Sequence, residues 1–298
     1  HGIVEQTKRH TYILNLLGIK HIIVAINKMD LVDFSEERYN EIKNEFSGFA
    51  SKLQIPDIRY IPMSALKGDN VVDRSENTSW YEGGTLLYNL ENIHFTADAN
   101  MVDCRFPVQY VVRPQSEQYH DYRAYAGQVS GGIFKKNDEV ILLPTGFTTT
   151  IAGIDTADGE LEEAFYPMAC SIRLADDLDL SRGGMIAKVD NQPRATQDID
   201  AMVCWFNDKP LQVRGKYAIR HTTQEARCII KEVQYKINIQ TLHREENDTT
   251  IGMNDIGRIK LRTTQPLFCD PYTRNRITGS LIIVDEFTNE TVGAAMIL

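Results

Sequence analysis

The run His21 to Asn27, HIIVAIN, constrains this chain more than any other stretch. A segment so rich in β-branched side chains fits a strand covered on both faces, of the kind found in parallel sheets with helices over them. The flanking segments agree. Upstream, Thr11 to Leu17 is apolar and helix-prone, and Gly18 stands where a C-terminal cap belongs. Downstream, Ser35 can cap a second helix, Glu36 and Glu37 suit its positive end, and Tyr39, Ile42, Phe46, Phe49 and Leu53 recur at helical spacing. Beyond Pro56, Ile58 to Ser64 (IRYIPMS) predicts another strand. A strand, helix, strand unit with a right-handed crossover sets its strands parallel, roughly 5 Å apart if adjacent, with both carboxyl ends on one edge. Ligands of open α/β sheets bind at that edge. Gly68 to Gly84 predicts a polar loop, and Thr85 to Ile93 a short helix with Leu86, Leu87, Leu90 and Ile93 inward. Only these two strands of the first domain's sheet are evident.

From about Asp103 the texture changes to short alternating segments punctuated by turn signals such as Lys136-Asn137-Asp138 and Asp158-Gly159. That pattern predicts barrels or sandwiches. A seam falls near Asn191 to Asp198, where Pro193 and polar residues separate two strand-rich blocks, so the expected domains are 1–98, 99–193 and 194–298. The formal charge of -9 repels a phosphate backbone, and no basic stripe offsets it, which argues against nucleic acid as a partner. No apolar run reaches the length of a membrane-spanning helix. Cys104, Cys170, Cys204, Cys228 and Cys269 lie far apart, which predicts reduced, buried thiols rather than a disulfide framework or a zinc knuckle. His10, His94, His120, His221 and His243 form no metal-binding pair. The acidic clusters Asp176, Asp177, Asp179 and Glu160, Glu162, Glu163 predict solvated loops, so no metal site and no catalytic residue is expected in this chain.

The chemistry gathers where the strands end. Asn27-Lys28-Met29-Asp30 follows the first strand and Ser64-Ala65-Leu66 the second. These residue types suit a guanine ring. The Asp30 carboxylate can accept from both the ring N1–H and the exocyclic 2-amino group, whereas adenine offers an acceptor at N1 and no 2-amino group. The amide of Asn27 can donate to a purine acceptor such as N7, and the stem of Lys28 can lie along the base. A backbone N–H of Ser64, Ala65 or Leu66 can donate to O6.

Those motifs, N-K-x-D followed by S-A-x, resemble the translation-factor type of GTPase, as does Gln6-Thr7-Lys8-Arg9-His10 ahead of an apolar helix. Tyr125 to Gly132 (YAGQVSGG) with Lys135 to Val140 (KKNDEV) resembles the start of the barrel that follows the GTP-binding domain in that class. Longer strings resemble the large subunit of bacterial sulfate adenylyltransferase: Gly68 to Trp80 (GDNVVDRSENTSW), Phe106 to Pro114 (FPVQYVVRP), Ile256 to Ile259 (IGRI), Asp270 to Gly279 (DPYTRNRITG) and Asn289 to Ile297 (NETVGAAMI). The resemblance covers essentially the whole chain.

It implies a multi-domain α/β plus all-β fold, namely a partial P-loop-GTPase-type α/β domain followed by two elongation-factor-Tu-like β-barrels. It further implies a cytoplasmic protein that binds GTP or GDP through Asn27, Lys28, Asp30, Ser64, Ala65 and Leu66, with Mg in the full-length parent. The implied activity is formation of adenosine 5'-phosphosulfate and diphosphate from ATP and sulfate, coupled to GTP hydrolysis, in complex with a small catalytic subunit. The alternative is a tRNA-binding elongation factor of the Tu/1-alpha kind. No G-x-x-x-x-G-K-[ST] and no D-x-x-G occurs. Phosphate binding and hydrolysis need both, so the expectation is an N-terminally truncated chain with weak guanine binding and no turnover of its own.

Overall fold

The computed structural model describes residues 2–93, 100–114 and 122–298. His94, His120 and the expected boundary between residues 98 and 99 lie outside the described residues. Two compact units emerge, His1–Ala97 with Asn238–His243 and Asp98–Ile237 with Arg244–Leu298.

The first unit runs α1 (Glu5–Leu16), β1 (His21–Ile26), α2 (Glu36–Ala50), β2 (Asp57–Pro62) and α3 (Leu86–Asn92). Gly18 ends α1 at φ 65°, a conformation that side chains with a Cβ disfavour. Ser35 caps α2, its Oγ accepting from Arg38 N at 3.2 Å. Tyr39, Phe46 and Phe49 of α2 are buried, and Tyr39 Oη donates to Tyr60 O on β2. β1 and β2 pair in parallel from His21↔Asp57 to Ile26↔Pro62. The expected double burial of β1 is only half realised. Val24 and Ile26 lie in a cluster with Tyr39, Ile42 and Tyr60, while on the opposite face Ile23 is half-buried and Ala25 exposed. The inward placement of Leu87 and Leu90 is also corrected, since they are 38% and 57% exposed. The buried residue of α3 is Asn89, which accepts from Arg59 Nη1 and donates to Gly84 O and Thr85 O. Its hydrogen bonds orient the helix, so the polar side chain faces inward and the leucines do not.

Among the described residues the second unit contains strands and no helix. β3 (Arg105–Val112), β4 (Ala124–Gln128), β5 (Ile133–Lys135), β6 (Glu139–Leu143), β7 (Phe147–Thr156), β8 (Gly159–Leu161), β9 (Glu163–Phe165), β10 (Ala169–Leu174) and β11 (Met185–Lys188) make up its first part. The order β10-β4-β3-β11-β6-β7 closes on itself through β10–β7, giving a six-stranded antiparallel barrel with β8 hung on β7 and β5 paired to β9. Then follow β12 (Arg194–Trp205), β13 (Lys216–His221), β14 (Gln224–Ile237), β15 (Arg244–Glu245), β16 (Ile256–Cys269), β17 (Ser280–Val284) and β18 (Thr291–Ile297). Here β13-β17-β18-β12-β16-β14 closes through β13–β14 into a second six-stranded barrel. Closure removes the sheet edges. β14 shows the alternation expected of a barrel wall, with Ala226, Cys228 and Ile230 inward. The alternation breaks at Lys231 and Glu232, both exposed, where the register to β16 shifts across a bulge.

Each barrel has an apolar filling, Phe106, Tyr125, Phe134, Ile154 and Ile172 in the first and Val203, Trp205, Ile219, Ile259 and Ile283 in the second. All five cysteines are free and buried, as expected. Burial pushes the thiols of Cys170, Cys204 and Cys269 up to about 11 and that of Cys228 up to about 12, so at neutral pH they behave as apolar side chains.

Polar groups join one barrel to the other. Arg105, 1% exposed, is bidentate to Asp270, with Nε to Oδ2 and Nη2 to Oδ1 both at 2.9 Å, and its Nη1 donates to Cys104 O and Asn191 O. Thr278 Oγ1 also donates to Asp270 Oδ2. Beside this pair Arg274 grips Asp103 at 2.6 Å through both Nε and Nη2. Burial alone would raise the Asp103 carboxyl. The hydrogen bonds from Arg274, Asn100 and Asn191 outweigh it and hold the group well below the usual carboxylate range.

Loss of one partner from a buried ion pair costs about 3–5 kcal/mol. Asp270→Ala, which strands the Arg105 guanidinium, is therefore expected to lower the urea midpoint of the barrel unit sharply; an unchanged midpoint would show that the pair carries no stability. Asp103 sets a pH dependence in addition. A carboxyl depressed in the folded state contributes its full stability above its unfolded value of about 3.9 and loses it as pH falls below. Acid titration of stability should therefore show a loss below about pH 4 that Asp103→Asn removes.

Candidate functional site

Parallel pairing brings the two motif-bearing loops together. At the ends of the strands Met63 N donates to Ile26 O at 2.9 Å and Met29 N to Met63 O at 3.1 Å, so the segments after β1 and β2 leave the sheet side by side. The first segment turns sharply. Lys28 lies at φ 66°, Met29 is buried as an anchor, and residues Met29–Val32 form a single 3-10 turn. Asp33 and Phe34 follow, both also at positive φ. Left-handed positions in ordinary residues need local hydrogen bonds to hold them; at the far end Phe34 N donates to Met29 O at 2.9 Å and Ser35 N to Val32 O at 3.0 Å.

Asn27 holds the first of these positions. Its Oδ1 accepts from Lys28 N at 2.7 Å and, across the gap, from Ala65 N at 2.9 Å. One side-chain oxygen thus links both loops, and the Nδ2 group remains to donate elsewhere. Lys28 is exposed and Asp30 half-buried, and among the described residues neither takes part in an ion pair. The second loop is a closed turn. Ser64 is buried, its Oγ accepts from Lys67 N, its O accepts from Gly68 N at 2.8 Å, and its N donates to Asp69 O at 3.2 Å. Gly68, at φ 85°, permits the reversal.

This geometry narrows one expectation. Of the three backbone N–H groups offered by Ser64, Ala65 and Leu66, the first donates to Asp69 and the second to Asn27, and among the described residues only that of Leu66 has no partner. Leu66 is 89% exposed.

Beneath the loops lies an aromatic floor that sequence reasoning did not single out. Trp80 Nε1 donates to Phe34 O, and the Trp80 ring packs on Tyr39 with centroids 5.1 Å apart. Burial, with Tyr81 and Tyr60 nearby, pushes the Tyr39 hydroxyl up to about 12. Lys67 Nζ lies 6.0 Å above the Phe34 ring. The available signal was Trp80 at the end of the string Gly68 to Trp80.

Elsewhere the acidic clusters have protein partners. Asp177 and Asp179 take Arg123, Asp176 accepts from Thr149, and Glu160 and Glu163 pair with Lys136 and Lys135. Among the described residues no group of His, Cys, Asp and Glu could hold a metal ion. His221 is buried and bonded through Nε2 to Thr278 O, and His10 is bonded to Gln6.

Residues 1–107 match the model of the elongation factor Tu GTP binding domain, and residues 198–298 match that of the GTP-eEF1A C-terminal domain-like family. The whole chain aligns with the bifunctional enzyme CysN/CysC of Mycobacterium tuberculosis at 49% identity, covering 49% of that protein. It aligns over its full length with sulfate adenylyltransferase subunit 1 of Bacteroides fragilis and of Pseudoalteromonas atlantica, at 44% identity each, covering 61% and 62% of those proteins. The chain therefore spans about half to three fifths of the curated relatives it matches. Among solved structures, sup35 complexed with GDP matches with a TM-score of 0.60 at 23% identity, covering 98% of this chain and 72% of that one, a likeness of fold.

Because Asn27 Oδ1 is the acceptor shared by both loops, its loss should loosen them. Two net hydrogen bonds are worth about 1–2 kcal/mol together. With two tryptophans in the chain, a Trp205→Phe background leaves Trp80 as sole reporter of the first unit. In that background Asn27→Ala is expected to destabilise the Trp80 transition by about that amount and Asn27→Asp, which keeps an acceptor, by less. Equal effects would show that the side-chain oxygen is not what joins the loops.

Proposed function

We propose that this chain is the base-recognising and barrel portion of a GTP-binding regulatory subunit of sulfate adenylyltransferase, a reading supported by the match of residues 1–107 to the elongation factor Tu GTP binding domain and by sulfate adenylyltransferase subunit 1 proteins that align along the whole of this chain. The observation that carries this reading is the Asn27 Oδ1 to Ala65 N bond, which sets the two strand-end loops against each other beside a half-buried Asp30 held in no ion pair among the described residues. In this arrangement the Asp30 carboxylate accepts from guanine N1–H and the 2-amino group, and Asn27 Nδ2 donates to a purine acceptor. The Lys28 stem covers one face of the ring, and the Leu66 N–H donates to O6. An adenine in the same place would leave the carboxylate desolvated and unpaired.

The phosphates and Mg would need further groups, because this chain's sequence contains no phosphate-binding loop of the G-x-x-x-x-G-K-[ST] type. In the complete enzyme the domain would couple GTP hydrolysis to formation of adenosine 5'-phosphosulfate and diphosphate on a small catalytic subunit. The two barrels are the rigid part available to dock that subunit.

A good bidentate base contact contributes about 1–3 kcal/mol of discrimination, roughly 10- to 100-fold. Titration of the isotope-labelled chain with guanosine and with adenosine should shift the amides of Lys28 to Asp30 and Leu66 with guanosine preferred by that ratio. Asp30→Asn should abolish the preference. Equal binding of the two nucleosides by the unsubstituted chain would remove the guanine reading, and failure of the chain to co-purify with a small catalytic subunit would remove the assignment of partner.

A further inference from the structure

We propose that Asn70 is the positioning residue of the base-recognition loop: it fixes the turn Ser64 to Asp69 on the end of β2 and thereby sets guanine selectivity at Asp30 and the Leu66 N–H. This inference rests on the guanine reading above. Asn70 is 1% exposed, with its backbone at φ 56°, and it is a hub. Its Nδ2 donates both protons, to Pro62 O and to Thr78 Oγ1, each at 2.8 Å, and its Oδ1 accepts from Ser75 N at 2.9 Å. Its backbone O accepts from Leu86 N at the start of α3. Pro62 is the last residue of β2 and stands two positions before Ser64.

The neighbouring Asp69 closes the same clasp from the other side. Its backbone O accepts from Ser64 N at 3.2 Å, and its Oδ1 accepts from Ser75 Oγ at 2.5 Å and from Asn77 Nδ2 at 3.0 Å. The turn that presents Ala65 to Asn27, and leaves the Leu66 N–H without a partner among the described residues, is therefore held at its start by Asn70 through Pro62 and at its end by Asp69. Ser75 binds both residues together.

A buried amide is costly unless every polar atom is paired, and an apolar side chain would fill the space without that demand. What the amide adds is direction. It ties the strand end at Pro62 to Ser75 and to the 3-10 turn at Glu76–Thr78, while the start of α3 is held by the backbone O of the same residue. Base recognition depends on such placement to within about half an ångström, so loss of the clasp should reach the site through geometry although Asn70 itself touches no base.

The test uses the full 298-residue chain and two variants. Asn70→Gly accepts the left-handed backbone and deletes the amide; Thr78→Val keeps shape and removes one acceptor. Amide exchange at Ala65 reads the positioning, and the ratio of guanosine to adenosine affinity reads its consequence. In Asn70→Gly, Ala65 exchange is expected to accelerate at least about tenfold and the ratio to fall toward one, with a smaller change of both in Thr78→Val. Exchange at Val24 and Ile61 in the paired strands should stay as in the parent, and if Asn70→Gly loses that protection the Thr78→Val variant decides. A preference for guanosine retained in the variants overturns the proposal alone, whether or not Ala65 loosens. A ratio of one in the unsubstituted chain overturns the guanine reading and this proposal with it.

Discussion

The parallel register of β1 and β2 is the constraint from which the site follows. Ile26 opposite Pro62 means that both chains leave the sheet at one edge, and the backbone bonds Met63 N to Ile26 O and Met29 N to Met63 O extend the pairing into the loops themselves. A shift of one residue would invert every side chain of β1, exposing Val24 and Ile26 and breaking their cluster with Tyr39 and Ile42. The α2 packing thus protects the register, and the register places Asn27 within 2.9 Å of Ala65 N. Fold and candidate site are joined by that short chain of dependence.

Much of this was legible in the residues because it depends on local rules. The Ser35 cap, the helical spacing of Tyr39, Phe46 and Phe49, and the β-branched run before Asn27 each obey one dominant preference, and alternation along strands such as β14 marks the later part of the chain as all-β while leaving barrel or sandwich open. The failures are equally instructive. Leu87 and Leu90 lie on a helix whose orientation is decided by hydrogen bonds of Asn89 to Arg59, Gly84 and Thr85, partners scattered over some thirty residues of sequence. Periodicity sees apolar spacing and cannot see such bonds. The same holds for the loop N–H groups. Ser64, Ala65 and Leu66 are equivalent donors on paper, and only the fold shows two of them already paired. The polar string from Gly68 to Trp80 reads as a loop, yet it contains the buried Asn70 and the Trp80 floor.

A similar economy governs the barrels. Asp270, Arg274, Asn275 and Thr278 belong to one ten-residue string, DPYTRNRITG, and all four side chains take part in the polar junction with the first barrel or brace it. Arg105 and Asp103 are their counterparts near the start of β3. Pairing two buried charges rarely adds more stability than apolar packing would, but it penalises every arrangement in which either charge is left alone. The junction therefore acts chiefly as a register for one barrel on the other.

The energetic scale of the candidate site has its own consequence. Base contacts of the kind Asp30, Asn27 and Leu66 can offer amount to a few kcal/mol in total, the scale of a dissociation constant of about 1 mM. Tight nucleotide binding in this class of protein draws on phosphate contacts as well, through a loop that this chain's sequence does not contain. Affinity is consequently a poor measure of whether the site recognises guanine, since a correct geometry and a chance surface contact would both be weak. The ratio between guanine and adenine separates them. A chance contact has no reason to distinguish an N1–H from a bare N1, whereas a half-buried carboxylate must, because it is left desolvated and unpaired by the wrong base.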